Sequence, residues 1–347
     1  MVWKGRTGTR RDVLQAGIAG TVGIFASSAA GIAGARAEDR TSTANDGARI
    51  EVKSGQTLQI SSHSEFQPWT RFRLGDATVT VVSDGRIAMG DPKKWFLGLK
   101  EGELEATLRE SFLSETDASL AQNVMIVDMG GRRVMFDTGT GGSPLIGPTA
   151  GHLRANLATA GIAPDSVTDV IISHGHPDHV LGLADADGRP VFVNAQVHIS
   201  EIDHRMIAGE PNPADPFAPE MKRQMTAVAD RVAMIADGRQ VVPGITALAA
   251  PGHTLGHMIF GIESAGHTLL NTADLGHHQA IFTRHPEVNF VADMDAAMMV
   301  ATRRRYYDMI ATDRLGFLSY HFPFPGVGHL ARTGTAYAYI PASLDTV

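Results

Sequence analysis

From Thr70 onward, apolar and polar residues alternate in the way that predicts strands. Arg71–Leu74 and Thr78–Val82 flank Gly75-Asp76, and Val124–Val127 and Arg133–Phe136 flank Gly130-Gly131. Each pair predicts a hairpin closed at a glycine turn. Asp169–Ile172 is a short apolar run, the pattern of a buried strand. Ile245–Leu248, Met258–Ile262, Thr268–Leu270, Phe317–Ser319 and Tyr337–Ile340 predict further strands. Helical spacing covers His152–Ala160, closed by Gly161, and Met221–Ala236; a third helix runs from an Asp295 cap to about Ala311. Strands that alternate with helices, with hairpins in both halves, predict an α/β fold of mixed sheets covered by helices. No repeat or linker divides residues 70–347, so they are expected to form one domain behind a polar, Ser/Thr-rich lead-in over 38–69.

Residues 1–37 break this pattern and read as an export signal. Lys4, Arg6, Arg10 and Arg11 make a basic start, Val13–Ala35 is uncharged, and Ala35-Arg36-Ala37 offers small residues at the two positions a signal peptidase reads. The run Thr9-Arg10-Arg11-Asp12-Val13-Leu14 resembles a twin-arginine signal. The uncharged stretch is long enough to span a bilayer, but its Ala and Gly insert weakly and the cleavage site follows at once. The expected product is periplasmic or secreted, with no stable membrane anchor.

Composition narrows the chemistry. With no Cys among 347 residues, disulfide frameworks, thiolate metal sites and cysteine nucleophiles are excluded. The formal charge of −7 argues against nucleic-acid partners. Loss of residues 1–37, which carry five basic residues and Asp12, takes it to −11. Against zero Cys stand 15 His, so a His/Asp metal site is worth seeking.

That site centres on His174-Gly175-His176-Pro177-Asp178-His179, directly after the apolar run at Asp169–Ile172. His174 and His176 are two apart and project the same way on an extended backbone. Asp178 and His179 follow a Pro that favours a turn and a helix start. Such a loop can present two pairs of ligands, as a two-metal site needs. Burying three imidazoles and a carboxylate together without a cation would cost several kcal/mol. His253, Asp274 and His321 each lie just past an apolar strand, where sheet folds gather site residues. His152, His198, His204, His257, His267 and His285 read as ordinary core or surface histidines. Neutral imidazole and carboxylate suit zinc and tolerate manganese, iron or cobalt.

The order His174, His176, Asp178, His179, His253, Asp274, His321 resembles the metallo-β-lactamase-fold hydrolases. Asp137-Thr138-Gly139 and Val82-Ser83-Asp84-Gly85 are similar to that superfamily, and the run His321–His329 resembles its methyl parathion hydrolase-like branch. The resemblance implies an αββα sandwich of two mixed β-sheets flanked by helices. It also implies two divalent metal ions, with zinc foremost: His174, His176 and His253 on the first, Asp178, His179 and His321 on the second, and Asp274 bridging. It implies a binuclear hydrolase in which a metal-bridging hydroxide attacks an ester, lactone or phosphotriester, Asp178 and Asp274 serving catalysis. Many relatives carry Gly where this chain has Ala273. The substrate is expected to be a small molecule; relatives often form homodimers.

Other expectations surround this core. An acyl-lactone or β-lactam hydrolase of the same fold is the alternative. An iron-dependent sulfur oxidoreductase ranks below it, because the second set of ligands is complete and no flavin domain is fused. A non-catalytic binding protein of this fold would have lost ligands, and none of the seven is missing. Asp137 and Ser173 are candidates to orient a ligand imidazole. His277-His278 faces the substrate, supports a metal ligand or sits in an exposed turn, and His329 is read as structural. Trp95, Phe96 and Pro211–Phe217 are candidates for an apolar rim. Arg303-Arg304-Arg305 is expected on a solvated helix face.

Overall fold

The computed structural model describes residues 67–343. The expected signal over 1–37 and nearly all of the lead-in lie outside the described residues.

Two seven-stranded sheets face each other. The first runs, in spatial order, Trp69–Leu74, Ala77–Gly90, Ala118–Met129, Arg132–Phe136, Asp169–Ile171, Gln196–Ser200 and Val232–Ile235. Its first four strands pair antiparallel and the last three join in parallel. The second runs Ala336–Pro341, Val327–Thr333, Gly316–Leu318, His267–Asn271, Met258–Ser264, Ile245–Ala249 and Gln240–Val242. All its pairs are antiparallel except His267–Asn271 with Gly316–Leu318.

The strand sequences show why the layers stack this way. Val79, Val81, Met125 and Val127 point between the sheets, where they meet Ile245, Ala247, Phe260 and Ile262. Phe136 and Phe260 bring their rings to 5.3 Å across this interface. The intervening Val82, Val124 and Ile126 face the opposite way, against Leu153 and Leu157 of helix Leu153–Thr159 and Met221 and Met225 of helix Ala218–Ala227. Strands buried on both faces carry continuous apolar runs rather than strict alternation. The outer face of the second sheet packs on Met299, Tyr307 and Ile310 of helix Ala296–Thr312. The result is the αββα sandwich. Among the described residues no helix is long and apolar enough to cross a membrane.

Both predicted hairpins are present, and Asp295 caps its helix by accepting from the Met298 amide at 2.9 Å. The helix expected over Met221–Ala236 is shorter. It ends at Ala227, the chain turns through Ala229–Arg231, and Val232–Ile235 becomes an edge strand paired with Gln196–Ser200. The helical spacing of that segment loses to a pairing partner some 35 residues upstream. The basic run on the last helix is also corrected. Arg305 is exposed and Arg304 half-exposed, but Arg303 is fully buried, because residue 303 falls on the stripe that faces the sheet.

Candidate metal centre

All seven predicted ligands lie along one edge of the sandwich, at the ends of strands from both sheets. Strand Asp169–Ile171 delivers His174 and His176 on the loop that follows it. Pro177 then opens the short helix Pro177–Val180, which carries Asp178 and His179. His253 lies on the connection between Ile245–Ala249 and Met258–Ser264, Asp274 after His267–Asn271, and His321 after Gly316–Leu318.

Asp274 sits at the centre. Its Oδ2 is 3.0 Å from His321 Nε2, 3.2 Å from His253 Nε2 and 3.6 Å from His174 Nε2, and its Oδ1 is 3.4 Å from His179 Nε2. Asp178 Oδ2 lies 3.5 Å from His321 Nε2 and 3.6 Å from His179 Nε2. His176 Nδ1 is 2.8 Å from His253 Nε2. Ligand atoms of His174, His176 and His253 lie within 4.8 Å of one another, and so do those of Asp178, His179 and His321. His174, His179 and Asp274 form a third such group between them.

The outward nitrogens explain why the inward ones converge. His179 Nδ1 lies 3.0 Å from Asp137 Oδ2, His253 Nδ1 lies 2.9 Å from Asp293 Oδ1, and His321 Nδ1 lies 2.9 Å from the Ala121 carbonyl. Carboxylates and carbonyls only accept, so each Nδ1 carries a hydrogen, and the neutral ring that a cation would bind presents its lone pair on Nε2. His174 Nδ1 meets the Ser173 hydroxyl at 3.0 Å, and that hydroxyl donates to Asp137 at 2.8 Å. Asp137 and Ser173 therefore do orient imidazoles. Asp137 adopts a φ of 62°, a left-handed turn conformation that Asp tolerates.

The donor set fits divalent cations. His174 Nε2, His179 Nε2 and Asp274 Oδ1 are buried and have no hydrogen-bond partner. Leaving buried polar atoms unpaired costs about 1–3 kcal/mol each, a penalty that a cation coordinated by them removes. The electrostatics agree. Burial opposes charge on His253, but Asp274 and Asp293 outweigh it and raise the ring to about 9. Burial likewise opposes charge on His179, yet Asp274, Asp178 and Asp137 hold it well above the usual histidine range. Burial alone would raise Asp274, but the surrounding His321, His179 and His174 push it well below the carboxylate range. Burial holds His174 and His176 well below the usual histidine range, so without a cation protons gather on His253 and His179, the role a divalent ion would take over.

Residues that sequence reasoning passed over also build the centre. His257 is buried, donates from Nδ1 to the Ala250 carbonyl at 2.9 Å, and accepts the Asp274 amide on Nε2 at 3.2 Å. It is a satisfied core histidine, as expected, and it also sets the backbone of Asp274. Ala273 takes a φ of 42°, so a methyl stands in a conformation that favours glycine. Asp203 accepts from the Gly175 amide at 2.9 Å, the Thr254 hydroxyl at 2.6 Å and the Gly256 amide at 3.0 Å, stapling the two ligand loops together. It lies far from either loop in sequence, and no motif spacing marks it.

The remaining expectations divide. His277 is 1% exposed, places Nε2 3.2 Å from Asp274 Oδ2, and with His253 and Asp274 forms a fourth group of ligand atoms within 4.8 Å of one another. His278 instead accepts amides from Ala280 and Ile281. His198 pairs with Asp169, and His329 is exposed and bonds the Leu315 carbonyl. A cavity of about 850 Å³ opens onto the ligands. Trp95, Pro211, Asn212, Asp215 and Phe217 line it, while Phe96 lies beneath, packed on Phe282 and Phe290.

The family model of the metallo-beta-lactamase superfamily matches residues 119–309, more than half of the chain. The chain belongs to this superfamily. It is a metal-dependent hydrolase of that fold. It is similar to AidC, a dizinc quorum-quenching lactonase solved with a product, N-hexanoyl-L-homoserine. That match has 26% identity and a TM-score of 0.74 and covers 79% of this chain and 97% of AidC. The hydrolase AbOPH matches at 22% identity and TM-score 0.74, covering 80% of this chain and 99% of its own. A probable metal-dependent hydrolase from Staphylococcus aureus matches at 20% and TM-score 0.65, covering 78% and 99%. The last two share the fold. No curated protein matches the chain.

Proposed function

We propose that the chain holds two divalent ions, zinc foremost, and hydrolyses uncharged esters, lactones or phosphotriesters with apolar substituents. His174, His176 and His253 hold one ion, Asp178, His179 and His321 the other, and Asp274 lies between them. When bound, such ions act as Lewis acids that lower the pKa of water and polarise a carbonyl or phosphoryl oxygen.

The observation that carries the substrate reading is the lining of the cavity. Met89, Trp95, Leu120, Met206, Phe217 and Phe290 make its walls, and neither Lys nor Arg is among its lining residues. Away from the ions, an anionic group would meet Asp215 and Glu210 with no Lys or Arg to offset them. This favours esters, lactones and phosphotriesters whose substituents are uncharged. AidC, a lactonase of the same fold, supports the lactone arm. The aromatic and Met-rich walls bury the apolar substituents and exclude water. Asp178 faces the cavity and is placed to take a proton on a carboxylate oxygen. His277 also lines the cavity, able to donate one hydrogen bond to a substrate oxygen.

The test is metal content together with a substrate panel: a p-nitrophenyl phosphotriester, an aryl ester, an acyl-lactone and a β-lactam. The expected result is two ions per chain and turnover of at least one neutral substrate, with one ion and most activity lost in Asp274→Ala. Two bound ions with no turnover of any panel member would overturn the substrate reading. We propose further that residues 1–37 export the protein; cell fractionation of the full chain against one with Arg10 and Arg11 changed to Lys tests it.

A further inference from the structure

Arg303 is buried in the middle of helix Ala296–Thr312, outside the ligand cluster, yet it reaches two of the segments that build it. Its Nε donates at 2.7 Å to the carbonyl of Leu275, the residue after Asp274. Its Nη1 donates to the carbonyls of Val288 at 2.7 Å and Pro286 at 3.1 Å. The guanidinium stacks over Phe282 at 4.4 Å. Its Nη2 has no hydrogen-bond partner and faces Asp293 Oδ2 at 3.7 Å. The Asp293 side chain is itself fully buried; Oδ1 lies 2.9 Å from His253 Nδ1 and Oδ2 accepts the Phe290 amide at 2.9 Å. The backbone follows the same seam, with Met294 and Asp295 amides donating to the carbonyls of His253 and Gly252.

A buried guanidinium is a poor choice for packing alone, since an apolar side chain of similar volume avoids the desolvation cost. Here it ties the chain after Asp274, the Pro286–Val288 turn and Asp293 into one rigid unit. We infer that Arg303 and Asp293 are positioning residues for the metal centre: Asp293 directs the His253 lone pair inward, and Arg303 holds Asp293 and Asp274 in register. The inference rests on the reading that His253 and Asp274 hold metal. It makes the ion on His174, His176 and His253 the one sensitive to Asp293.

The test needs no substrate. Zinc affinity and stoichiometry are measured by competition with a chromophoric chelator for the wild type, Asp293→Ala, Asp293→Asn and Arg303→Met. The visible spectrum of the cobalt-loaded proteins reports the coordination geometry. Asp293→Ala is expected to weaken one ion about 10–100-fold and leave the other unchanged. Asp293→Asn keeps an acceptor for Nδ1 but sets its NH2 against the Phe290 amide that Oδ2 accepts, so it should recover part of that loss and shift the cobalt spectrum back towards the wild type. Arg303→Met should weaken both ions. Wild-type zinc affinity in Asp293→Ala overturns the inference, and this variant decides the matter even if Arg303→Met does not fold. A wild type that binds fewer than two ions instead overturns the metal reading itself.

Discussion

Asp137 Oδ2 lies 3.0 Å from His179 Nδ1, and the same carboxylate accepts both the amide and the hydroxyl of Ser173, at 2.7 and 2.8 Å. One acidic side chain thus orients a ligand imidazole and pins the start of the His174–His179 loop. Its removal should be felt at the second metal before it is felt in the fold. In Asp137→Ala, the affinity for one of two zinc ions is expected to drop about 10–100-fold, read by calorimetric titration of the metal-free protein. Two ions bound as tightly as in the wild type would remove Asp137 from the site.

His277 stacks on Phe290 with ring centroids 4.0 Å apart, and burial pushes it down to about 4 even though Asp274 works the other way. It is therefore neutral at pH 7 and can donate to a substrate oxygen. His277→Phe keeps the stacking surface and removes the donor. The expected outcome is unchanged zinc content, a kcat lower by about 10²-fold and a nearly constant KM, the pattern of a contact made mainly in the transition state. Loss of an ion in this variant would make His277 a ligand instead.

Met206 lines the cavity and is 39% exposed, so a longer charged side chain fits there without disturbing the core. Met206→Arg adds a guanidinium to a lining that has neither Lys nor Arg. Its kcat/KM for a carboxylate-bearing ester should rise about 10-fold relative to the neutral ester, and added salt should shrink the gain. Equal rates on neutral and anionic esters in the wild type would count against charge selection by this pocket.

Asp169 joins His198 at 3.0 Å and Arg132 at 2.7 Å in the first sheet, away from the metal ligands. Burial works to raise it, but His198, Thr168 and Arg132 outweigh burial and hold it at about 2. A carboxylate depressed on folding stabilises the protein above its unfolded value near ~4 and loses that contribution as pH falls towards the folded one. Asp169→Asn should therefore cost about 2 kcal/mol at pH 7 and progressively less below pH ~4. Urea unfolding of metal-free wild type and variant at pH 7 and pH 3 checks it; a penalty independent of pH would contradict the assignment.

Much of the architecture can be read locally. The hairpins at Gly75-Asp76 and Gly130-Gly131, the buried strand before His174 and the Asp295 cap depend on neighbours in sequence, and the structure has them. Gln196–Ser200, Val327–Thr333, Glu103–Glu110 and Glu201–Ala208 are not among the elements expected from the sequence, although Ser200 caps the last by accepting the Asp203 amide and Gly334 turns Val327–Thr333 back into its hairpin partner. Val232–Ile235 could be assigned only once its partner strand was known.

By itself, the sequence determined which chemistry was on offer: imidazoles and carboxylates at metal-ligand spacing, no thiol, and strands ending where those residues stand. Ligand identity is a property of side chains, and spacing within one loop is a property of the local backbone. Only the tertiary structure decided that Asp293 and Asp137 face the outward nitrogens of His253 and His179, that Arg303 is buried, and that the cavity is lined without Lys or Arg. Each of those facts joins groups from separate elements, and burial sets the strength of every charge among them.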